Sequence, residues 1–282
     1  VKNLKGTRGK HFLVTPQIFD KIRGEKTMAK MLCGYRVLDI TQFVAGPTCS
    51  RLMAELGADV IKVELTPIGD HARRSGLKSR KKGYANSTQS TYFAQHNHSK
   101  RSLAINLKSN EGQALIKKLI KRSDVLVENF APGVIGRLGL EYDEVIKINP
   151  RIVMCSISFA GQEGPLANEP GFDYMAAAYA GITEMIGENG RPPSQVSMAV
   201  GDSATGVSAA MAIAVALLHR ERTGEGQFID CSLLDTYLQM HEDYIPRVGL
   251  RGDAASPERS GSQHPNGGPT GIFECGDGSF IQ

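Results

Sequence analysis

Short strands and helices alternate along the first half of the chain, and this alternation limits the folds it can adopt. Tyr35–Thr41 is a short run with β-branched residues, and Pro47–Leu56 follows it as a helix with proline in its first turn. Gly57 is a natural left-handed end for that helix, and Asp59–Glu64 is the next strand. A strand, a helix and a strand in this order predict a βαβ unit with parallel strands and a right-handed crossover.

The same alternation continues to Ser158 and then changes character. The next predicted strands and helices are Ser102–Leu107 (strand), Lys108–Arg122 (helix), Val125–Glu128 (strand), Tyr142–Ile148 (helix) and Arg151–Ser158 (strand). Three longer segments follow: helices over Tyr174–Ile186 and Ser203–Arg222, and a strand that continues as a helix over Gln227–Met240. The small residues of Ser203–Arg222 predict a buried helix. Together the elements predict an α/β fold with an open, doubly wound (Rossmann-like) parallel sheet.

Composition divides the chain into four segments. Residues 1–30 are predicted to be an extension without fixed structure, residues 31–250 the large α/β domain, and residues 251–270, rich in Gly, Ser and Pro, a linker. Residues 271–282 predict a strand, a Gly-Asp-Gly turn and the start of a second strand, where a smaller domain would begin. Because an unpaired strand leaves backbone groups unsatisfied, we expect the chain to be truncated there or paired with another chain.

Charge, cysteines and known motifs argue against several classes of protein. The net charge of +4 is too small to favour nucleic acid, although it suits an anionic small ligand. No secretory signal is visible and the longest apolar run, Ala209–Leu218, is too short to span a bilayer, so we expect no membrane association. Five cysteines without metal spacing favour reduced thiols in the cytoplasm. His96 and His98 lack further ligands nearby, so no metal is expected.

Asp202, just before the Ala-rich helix, is the first candidate for chemistry. Asp commonly caps a helix at such a position. The same position would hold its carboxylate ionised through the helix dipole and the free N–H groups, as attack on an acyl group requires. Gly201 before it would leave room for a large acyl group. Pattern alone does not decide between the cap and the nucleophile.

A second candidate site follows the strand Val125–Glu128. Ligands of open α/β sheets bind beyond the carboxyl ends of the strands, which is where Asn129 and Phe130 lie. Phe130 could cover an adenine ring, Asn129 could bind ribose or phosphate, and Arg137 could pair with a phosphate. A capped turn with Phe130 in the core explains the same residues equally well.

Taken in order, several short blocks resemble the class III (CaiB/BaiF-type) CoA-transferases. The blocks are Gly34–Asp39, Ala45–Pro47, Leu56–Glu64, Lys100–Ser102, Val127–Gly133, Arg137–Gly139, Asn149–Pro150, Gly201–Asp202 and Thr223–Gln227. The resemblance extends from Met31 to Gln282 and implies transfer of coenzyme A from an acyl-CoA to a carboxylic acid. It implies that Asp202 forms a mixed anhydride with the acyl group and then a thioester with CoA, and that backbone N–H groups stabilise the oxyanions.

The resemblance also implies a set of binding residues and partners. Family positions that contact CoA fall on Val44, Ala45, Ile105, Asn106, Asn129, Phe130 and Arg137. Leu65 departs from the pattern, since some members have an arginine there for the nucleotide phosphates. The implied ligands are coenzyme A, bound as the acyl-CoA substrate, and a small carboxylic acid, without a metal. For the full-length protein the family implies an interlocked homodimer.

Two alternatives stay open at this point. The α-methylacyl-CoA racemases of the same superfamily use a His and an Asp as paired acid and base, and their His position falls on Phe172. Phenylalanine transfers no proton, and Asp173 beside it is either an acceptor or a structural cap. The second alternative is a catalytically silent fragment, because a chain without the family's small domain would bind CoA weakly.

Overall fold

A six-stranded parallel sheet lies at the centre of the computed structural model, which describes residues 30–77, 90–252, 258–265 and 267–282. The strands are β1 (Arg36–Asp39), β2 (Asp59–Leu65), β3 (Arg101–Ile105), β4 (Val125–Glu128), β5 (Val153–Ser158) and β6 (Gln227–Ser232). They lie in the order β3-β2-β1-β4-β5-β6, and every neighbouring pair is parallel. The predicted doubly wound, Rossmann-like sheet is therefore confirmed. The order reverses between β1 and β4, where ligands bind in such sheets. The predicted extension lies outside the described residues except for Lys30.

Ten α-helices are described around the sheet and beyond it. They are α1 (Ala45–Glu55), α2 (Thr91–Asn97), α3 (Asn110–Ile120), α4 (Val134–Arg137), α5 (Tyr142–Ile148), α6 (Asp173–Tyr179), α7 (Ile182–Met185), α8 (Val200–Thr223), α9 (Leu233–Gln239) and α10 (Tyr244–Arg251). A 3₁₀ helix covers His71–Arg74. The single helix predicted over Tyr174–Ile186 is wrong. It divides into α6 and α7 because Gly181 adopts φ of 77°, a left-handed conformation that ends α6.

The sheet is buried on both faces, and alternate residues of each strand point to opposite faces. Val125 and Val127 of β4 join the cluster under α1 and α8, which contains Ile213. Leu126 between them joins the cluster under α3, α4 and α5, which contains Ile116. Both faces of the central strands are therefore mostly apolar, up to polar residues at their carboxyl ends such as Asp39 and Glu128.

Helix α8 is buried along one face only, which corrects the prediction of a buried helix. Its buried face includes Gly206, Ala209 and Ile213, which pack against α1 and the sheet. A stripe of large apolar side chains on its other face is exposed: Val207, Met211, Val215 and Leu218. By length and composition α8 could cross a bilayer, but the core helix of a soluble protein has the same properties.

Arg220 anchors the last turn of α8 to the amino ends of the strands. Its side chain is 4% exposed, and its Nη2 lies 3.0 Å from Oδ1 of Asp124. Its Nη1 donates to the carbonyl oxygens of Asp124 and Arg151, and the guanidinium lies 5.5 Å from the ring centroid of Tyr35. With its C-terminal end held there, α8 runs antiparallel to the strands. Its first turn therefore lies at their carboxyl ends.

The C-terminal residues form a small antiparallel hairpin. Strand β7 (Phe273–Glu274) pairs with β8 (Phe280–Ile281), as the predicted strand, turn and strand required. Of the predicted linker, residues 253–257 and 266 lie outside the described residues. Its described part touches the large domain, since the Gly261 N–H donates to the carbonyl of Gly187. That a second domain begins here stays a prediction.

Gly206→Ala should lower the free energy of unfolding by about 1–3 kcal/mol, because the tight contact between α1 and α8 leaves no room for a methyl group. A Cβ at this position would lie 2.6 Å from the carbonyl oxygen of Ala45 and 2.7 Å from Cβ of Thr48. The measurement is urea unfolding.

The matched control is Gly249→Ala, the same change in exposed α10. A Cβ there would have no atom within 4 Å, so the substitution should raise the free energy of unfolding by about 0.5–1 kcal/mol through its better helix propensity. Equal effects of the two substitutions would contradict the close contact at Gly206.

Candidate active site

Asp39, the last residue of β1, is the centre of a buried polar network at the carboxyl edge of the sheet. Its carboxylate accepts hydrogen bonds from the N–H of Thr41 (2.9 Å), the hydroxyl of Thr41 (2.5 Å), the hydroxyl of Ser50 (2.6 Å) and Nζ of Lys100 (2.9 Å). Burial raises the pKa of Asp39. The cations of Lys100 and Lys62 and the two hydroxyl groups more than offset burial and hold the pKa well below its usual range.

Lys62 extends this network to the loop that follows β1. Its side chain is 1% exposed, its Nζ donates to the carbonyl of Thr41 at 2.8 Å, and the same atom lies 2.9 Å from Oδ2 of Asp70. That last contact is an ion pair without the alignment of a hydrogen bond. Oδ1 of Asp70 accepts from the N–H groups of Phe43 and Ala72. One buried cation thus joins β1 to the 3₁₀ helix.

Asn129, the residue after β4, holds the next part of the same loop. Its Oδ1 accepts from the N–H of Gln42 and its Nδ2 donates to the carbonyl of Gln42, both at 2.7 Å. Phe43 has φ of 65°, a conformation that is uncommon outside glycine, and its ring stacks on His71 at 5.7 Å. The loop is therefore rigid, and strained residues of this kind concentrate at ligand sites.

A cavity of about 150 Å³ opens beside this loop, between the ends of β1, β2 and β3 and helix α4. Its apolar lining consists of Ile40, Val63, Leu65, Ile105, Leu107, Phe130, Val134 and Leu138. Its polar lining consists of Thr41, Gln42, Glu64, Asp70 and Lys108, with the backbone of Gly69. A mostly apolar cleft with a few polar groups at the carboxyl edge is typical of a cofactor site.

The seven predicted CoA-binding residues all follow β1, β3 or β4, but only Ile105 and Phe130 line the cavity. Phe130 also packs against the core, as the alternative interpretation required, and its contact with an adenine ring stays a prediction. The remaining five are Val44 and Ala45, buried at the start of α1, exposed Asn106, Asn129 and exposed Arg137. Arg137 has no ion pair among the described residues. Binding of CoA by all seven stays a prediction.

Asp202 lies in the first turn of α8, but it does not cap the helix. The N-cap residue is Ala199, whose side chain makes no capping hydrogen bond. A Cβ on Gly201 would lie 2.1 Å from Cε2 of Tyr237 and 2.4 Å from Oδ1 of Asp173. The glycine therefore makes room for Tyr237 and Asp173, whereas the sequence suggested room for an acyl group.

Asp173 and Tyr237 hold the backbone on both sides of Gly201. Oδ1 of Asp173 accepts from the Tyr237 hydroxyl at 2.8 Å and from the Asp202 N–H at 3.0 Å. The Gly201 N–H donates to the Tyr237 oxygen at 3.0 Å. Burial and the charge of Asp173 raise the pKa of Asp202 to about 7. The start of the helix was expected to keep Asp202 ionised, and this expectation is wrong. The nearest N–H groups donate instead to Asp173 and to the Tyr237 hydroxyl, which is itself bound to Asp173.

Tyr92 of α2 lies near both Asp202 and Asp70. Burial raises the pKa of Tyr92, as do the charges of Asp202, Tyr174, Asp70 and Asp173, and Asp70 also lines the cleft. Helix α8 packs closely on α1, since a Cβ on Gly206, one turn after Asp202, would meet the carbonyl oxygen of Ala45. Within the described ranges, no cluster of three or more His, Cys, Asp or Glu could hold a metal.

Tyr237 and the charged network around Asp39 were not predicted as part of the site. Asp39, Lys62 and Lys100 stand inside the blocks that suggested the family, but no local pattern brings their side chains together. Tyr237 lies 36 positions after Gly201, and nothing in its own helix indicates a partner there. Only the packing of α9 against α6 and α8 brings Tyr237 to this position.

Comparison with known proteins identifies close relatives. The model of CoA-transferase family III matches residues 32–282. The succinyl-CoA–D-citramalate CoA-transferase of Chloroflexus aurantiacus is 37% identical over 246 residues, covering 87% of this chain and 59% of that protein. The succinyl-CoA:glutarate CoA-transferase of Mus musculus is 38% identical over 256 residues, covering 89% and 56%. The chain thus spans less than two thirds of the length of these relatives.

A solved structure agrees with the sequence comparison. The crystal structure of a CaiB/BaiF family protein from Brucella suis superposes with a TM-score of 0.79 at 34% identity. The match covers 88% of this chain and 64% of that one. The α/β fold, with its parallel sheet flanked by helices, is therefore shared with that protein.

Asp202→Asn should stabilise the fold at pH 8 and change its stability little at pH 4. Because its folded pKa is raised from 3.8 to about 7, Asp202 binds its proton more tightly in the folded state than in the unfolded chain. Its stabilising contribution is full below about pH 4 and is lost as the pH rises through about 7. Urea unfolding should show that the free energy of unfolding of the Asn variant, relative to the natural chain, rises by about 1–3 kcal/mol from pH 4 to pH 8.

The control is Asp143→Asn, which removes a carboxylate from the exposed surface of α5. It should not reproduce the pH-dependent gain. An Asp202→Asn variant whose advantage is the same at pH 4 and pH 8 would contradict the environment described for Asp202.

Proposed function

The chain belongs to CoA-transferase family III, and we propose that its protein moves coenzyme A from an acyl-CoA to a carboxylic acid with Asp202 as the covalent carrier. The observation that carries this proposal is the position of Asp202: a half-buried carboxylate in the first turn of α8, at the carboxyl edge of the sheet. A carboxylate in this position has an oxygen that can attack the carbonyl carbon of a thioester. Its surroundings restrict the access of water.

The proposed reaction exchanges groups on Asp202 in four steps. A carboxylate oxygen of Asp202 attacks the thioester carbonyl, the C–S bond breaks, and the CoA thiolate leaves a mixed anhydride. The thiolate then attacks the Asp202 carbonyl carbon, which releases the donor acid and forms an aspartyl-CoA thioester. The acceptor carboxylate attacks that thioester, and the thiolate finally attacks the acceptor carbonyl. A new acyl-CoA leaves and the Asp202 carboxylate is regenerated.

The raised pKa of Asp202 suits this role near neutral pH. With a pKa of about 7, a substantial fraction is ionised at working pH, and the anion is more basic than an ordinary carboxylate. A more basic oxygen is the better nucleophile towards a thioester. Asp202 has no hydrogen bond to its carboxylate from α8, so its oxygens remain available to the substrate.

The backbone N–H groups in the first turn of α8 are not free to stabilise the oxyanions. Val200, Gly201, Asp202 and Ser203 donate their N–H groups to acceptors within the chain. At the start of α1, in contrast, the N–H groups of Ala45 and Gly46 have no acceptor among the described residues. A helix start with free N–H groups attracts anions, which supports the proposed contacts of Val44 and Ala45 with CoA.

We assign the cleft to the nucleotide part of CoA. The apolar side chains of Ile105 and Phe130 fit a purine ring, and Lys108 and Arg137 supply positive charge at its rim. Leu65 stands where some family members have a phosphate-binding arginine, and we propose that Lys108, which lines the same cleft, supplies positive charge there instead. The relatives named above use succinyl-CoA, and we propose a small dicarboxylic acid as one of the exchanged acids.

A homodimer is part of the proposal for the full-length protein. The exposed stripe of α8 supports it, because Val207, Met211, Val215 and Leu218 form a continuous apolar strip that a partner would cover. Racemisation is not favoured. Phe172 is 67% exposed beside Asp173, so an apolar ring faces the solvent-accessible side of the site where a racemase needs a proton carrier.

Asp202→Ala should abolish formation of the covalent intermediate and CoA transfer. The measurement is mass spectrometry after incubation with succinyl-CoA and hydroxylamine, which should convert Asp202 of the natural chain to a hydroxamate. Asp143→Ala, at an exposed position of α5, should leave the hydroxamate at Asp202. Full transferase activity in the Asp202→Ala protein would sink the assignment.

Arg137→Ala should weaken CoA binding by roughly 10- to 100-fold, as expected when a charged hydrogen bond worth about 1.5–3 kcal/mol is lost. Calorimetric titration with CoA measures the change. Arg122→Ala is the matched control, since Arg122 is also exposed but lies just before β4, at the opposite edge of the sheet. If both variants bind CoA equally, Arg137 does not contact a phosphate.

A further inference from the structure

Asp173 and Asp202 meet at the first turn of α8 without a cation between them. Asp173 is buried, and its Oδ2 has no hydrogen-bond partner among the described residues. Within the same residues, neither carboxylate forms an ion pair with Lys, Arg or His. Two carboxylates that share a poorly solvated site repel one another when both are ionised.

Tyr237 donates a hydrogen bond to Asp173. The Gly201 N–H donates to the Tyr237 oxygen, so the single hydroxyl proton of Tyr237 points to Oδ1 of Asp173. That oxygen also accepts from the Asp202 N–H. Oδ1 of Asp173 thus has two donors, whereas the carboxylate of Asp202 has none among the described residues. Burial and the neighbouring Asp173 raise the pKa of Asp202.

Loss of the charge on Asp202 relieves this repulsion, and two events remove that charge. One is protonation. The other is formation of the proposed covalent intermediates, since an Asp202 anhydride or thioester is neutral. When Asp202 attacks the thioester, the new C–O bond forms as the C–S bond breaks, and the negative charge moves to the departing CoA sulfur. No proton or oxidant is needed.

We propose that Asp173 is a positioning residue that holds Asp202 by its backbone and, through like-charge repulsion, biases it toward its covalently acylated state. The proposal rests on the proposed role of Asp202 as the carrier. It gives Asp173 a function distinct from that of a helix cap, because a neutral amide of the same shape would keep the hydrogen bonds and lose the repulsion.

Other titratable groups around Asp202 do not supply the same effect. Tyr237 from α9 and Tyr92 from α2 face it as neutral phenols, and burial raises the pKa of both. His96 of α2 packs edge-on against Tyr92, and its pKa is lowered to about 4 by burial and nearby cations, so it is neutral above pH 5. Helix α1 offers uncharged Ala45 and Thr48 on the side that packs on α8. Asp173 is therefore the charge that controls Asp202.

The test compares the intact natural chain with Asp173→Asn. Carbodiimide coupling of an amine reports the protonated carboxyl, and fragment mass spectrometry separates labelling of Asp202 from that of Asp173. We expect the labelling midpoint of Asp202 to fall by at least about one pH unit in Asp173→Asn. At a fixed ratio of succinyl-CoA to succinate, the fraction of Asp202 present as a CoA thioester should also fall. We expect a fall of about tenfold for each pH unit by which the labelling midpoint of Asp202 falls.

Tyr237→Phe provides a second variant that keeps the aromatic ring. Removing the hydroxyl takes away one of the two hydrogen bonds that hold Oδ1 of Asp173, so the midpoint of Asp202 should move in the same direction by a smaller amount. An unchanged Asp202 midpoint in folded Asp173→Asn, or in Tyr237→Phe if the first variant does not fold, would overturn the inference. Absence of any adduct on Asp202 of the natural chain would instead refute the proposed function, whatever the midpoints.

Discussion

The buried carboxylate of Asp39 is the interaction on which the geometry of the site depends. A charge removed from water must be matched by partners, and Asp39 has Lys100, Thr41 and Ser50 within hydrogen-bond distance. These partners come from β1, α1 and the segment before β3, and Lys62 adds β2. Removing one member would leave an unpaired buried charge, which typically costs about 3–5 kcal/mol. The network therefore keeps four segments at the carboxyl edge in one arrangement, and the rigid loop beside the cleft follows from it.

The two aspartates of this edge show opposite responses to burial. Both are poorly solvated, and desolvation favours the neutral form of each. At Asp39 two ammonium groups outweigh desolvation, so the residue stays ionised and serves the structure. At Asp202 the neighbouring charge is negative, so the pKa rises into the neutral range. The absence of cations beside Asp202 thus separates its behaviour from that of Asp39 and supports the role proposed for it.

The sheet could be predicted from the sequence because its signals are local. Short strands alternate with amphipathic helices, and the rule that ligands bind beyond the carboxyl ends indicated Phe130, which lines the cleft. Ile105, which also lines it, was indicated by the family resemblance alone. The predictions that failed concern contacts between residues that are far apart in the sequence. Gly201 was recognised as a position that needs space, but sequence does not reveal that Tyr237 and Asp173 fill it. Asn129 was seen as a ligand-binding amide, whereas both ends of its side chain bind the backbone of Gln42.

Helix α8 can also be regarded as a lever. Arg220 holds one end, and Asp202 lies 18 residues away, about 27 Å along the axis at 1.5 Å per residue. A tilt of about 5° around Arg220 alone would move Asp202 by roughly 2 Å, well beyond the ~0.5 Å within which reacting groups must be held. The contact of Gly206 with Ala45 lies a single turn from Asp202, so it shortens the free arm to about 6 Å. The absence of a side chain at Gly206 therefore adds to the hydrogen bonds of Asp173 and Tyr237 in fixing the position of Asp202.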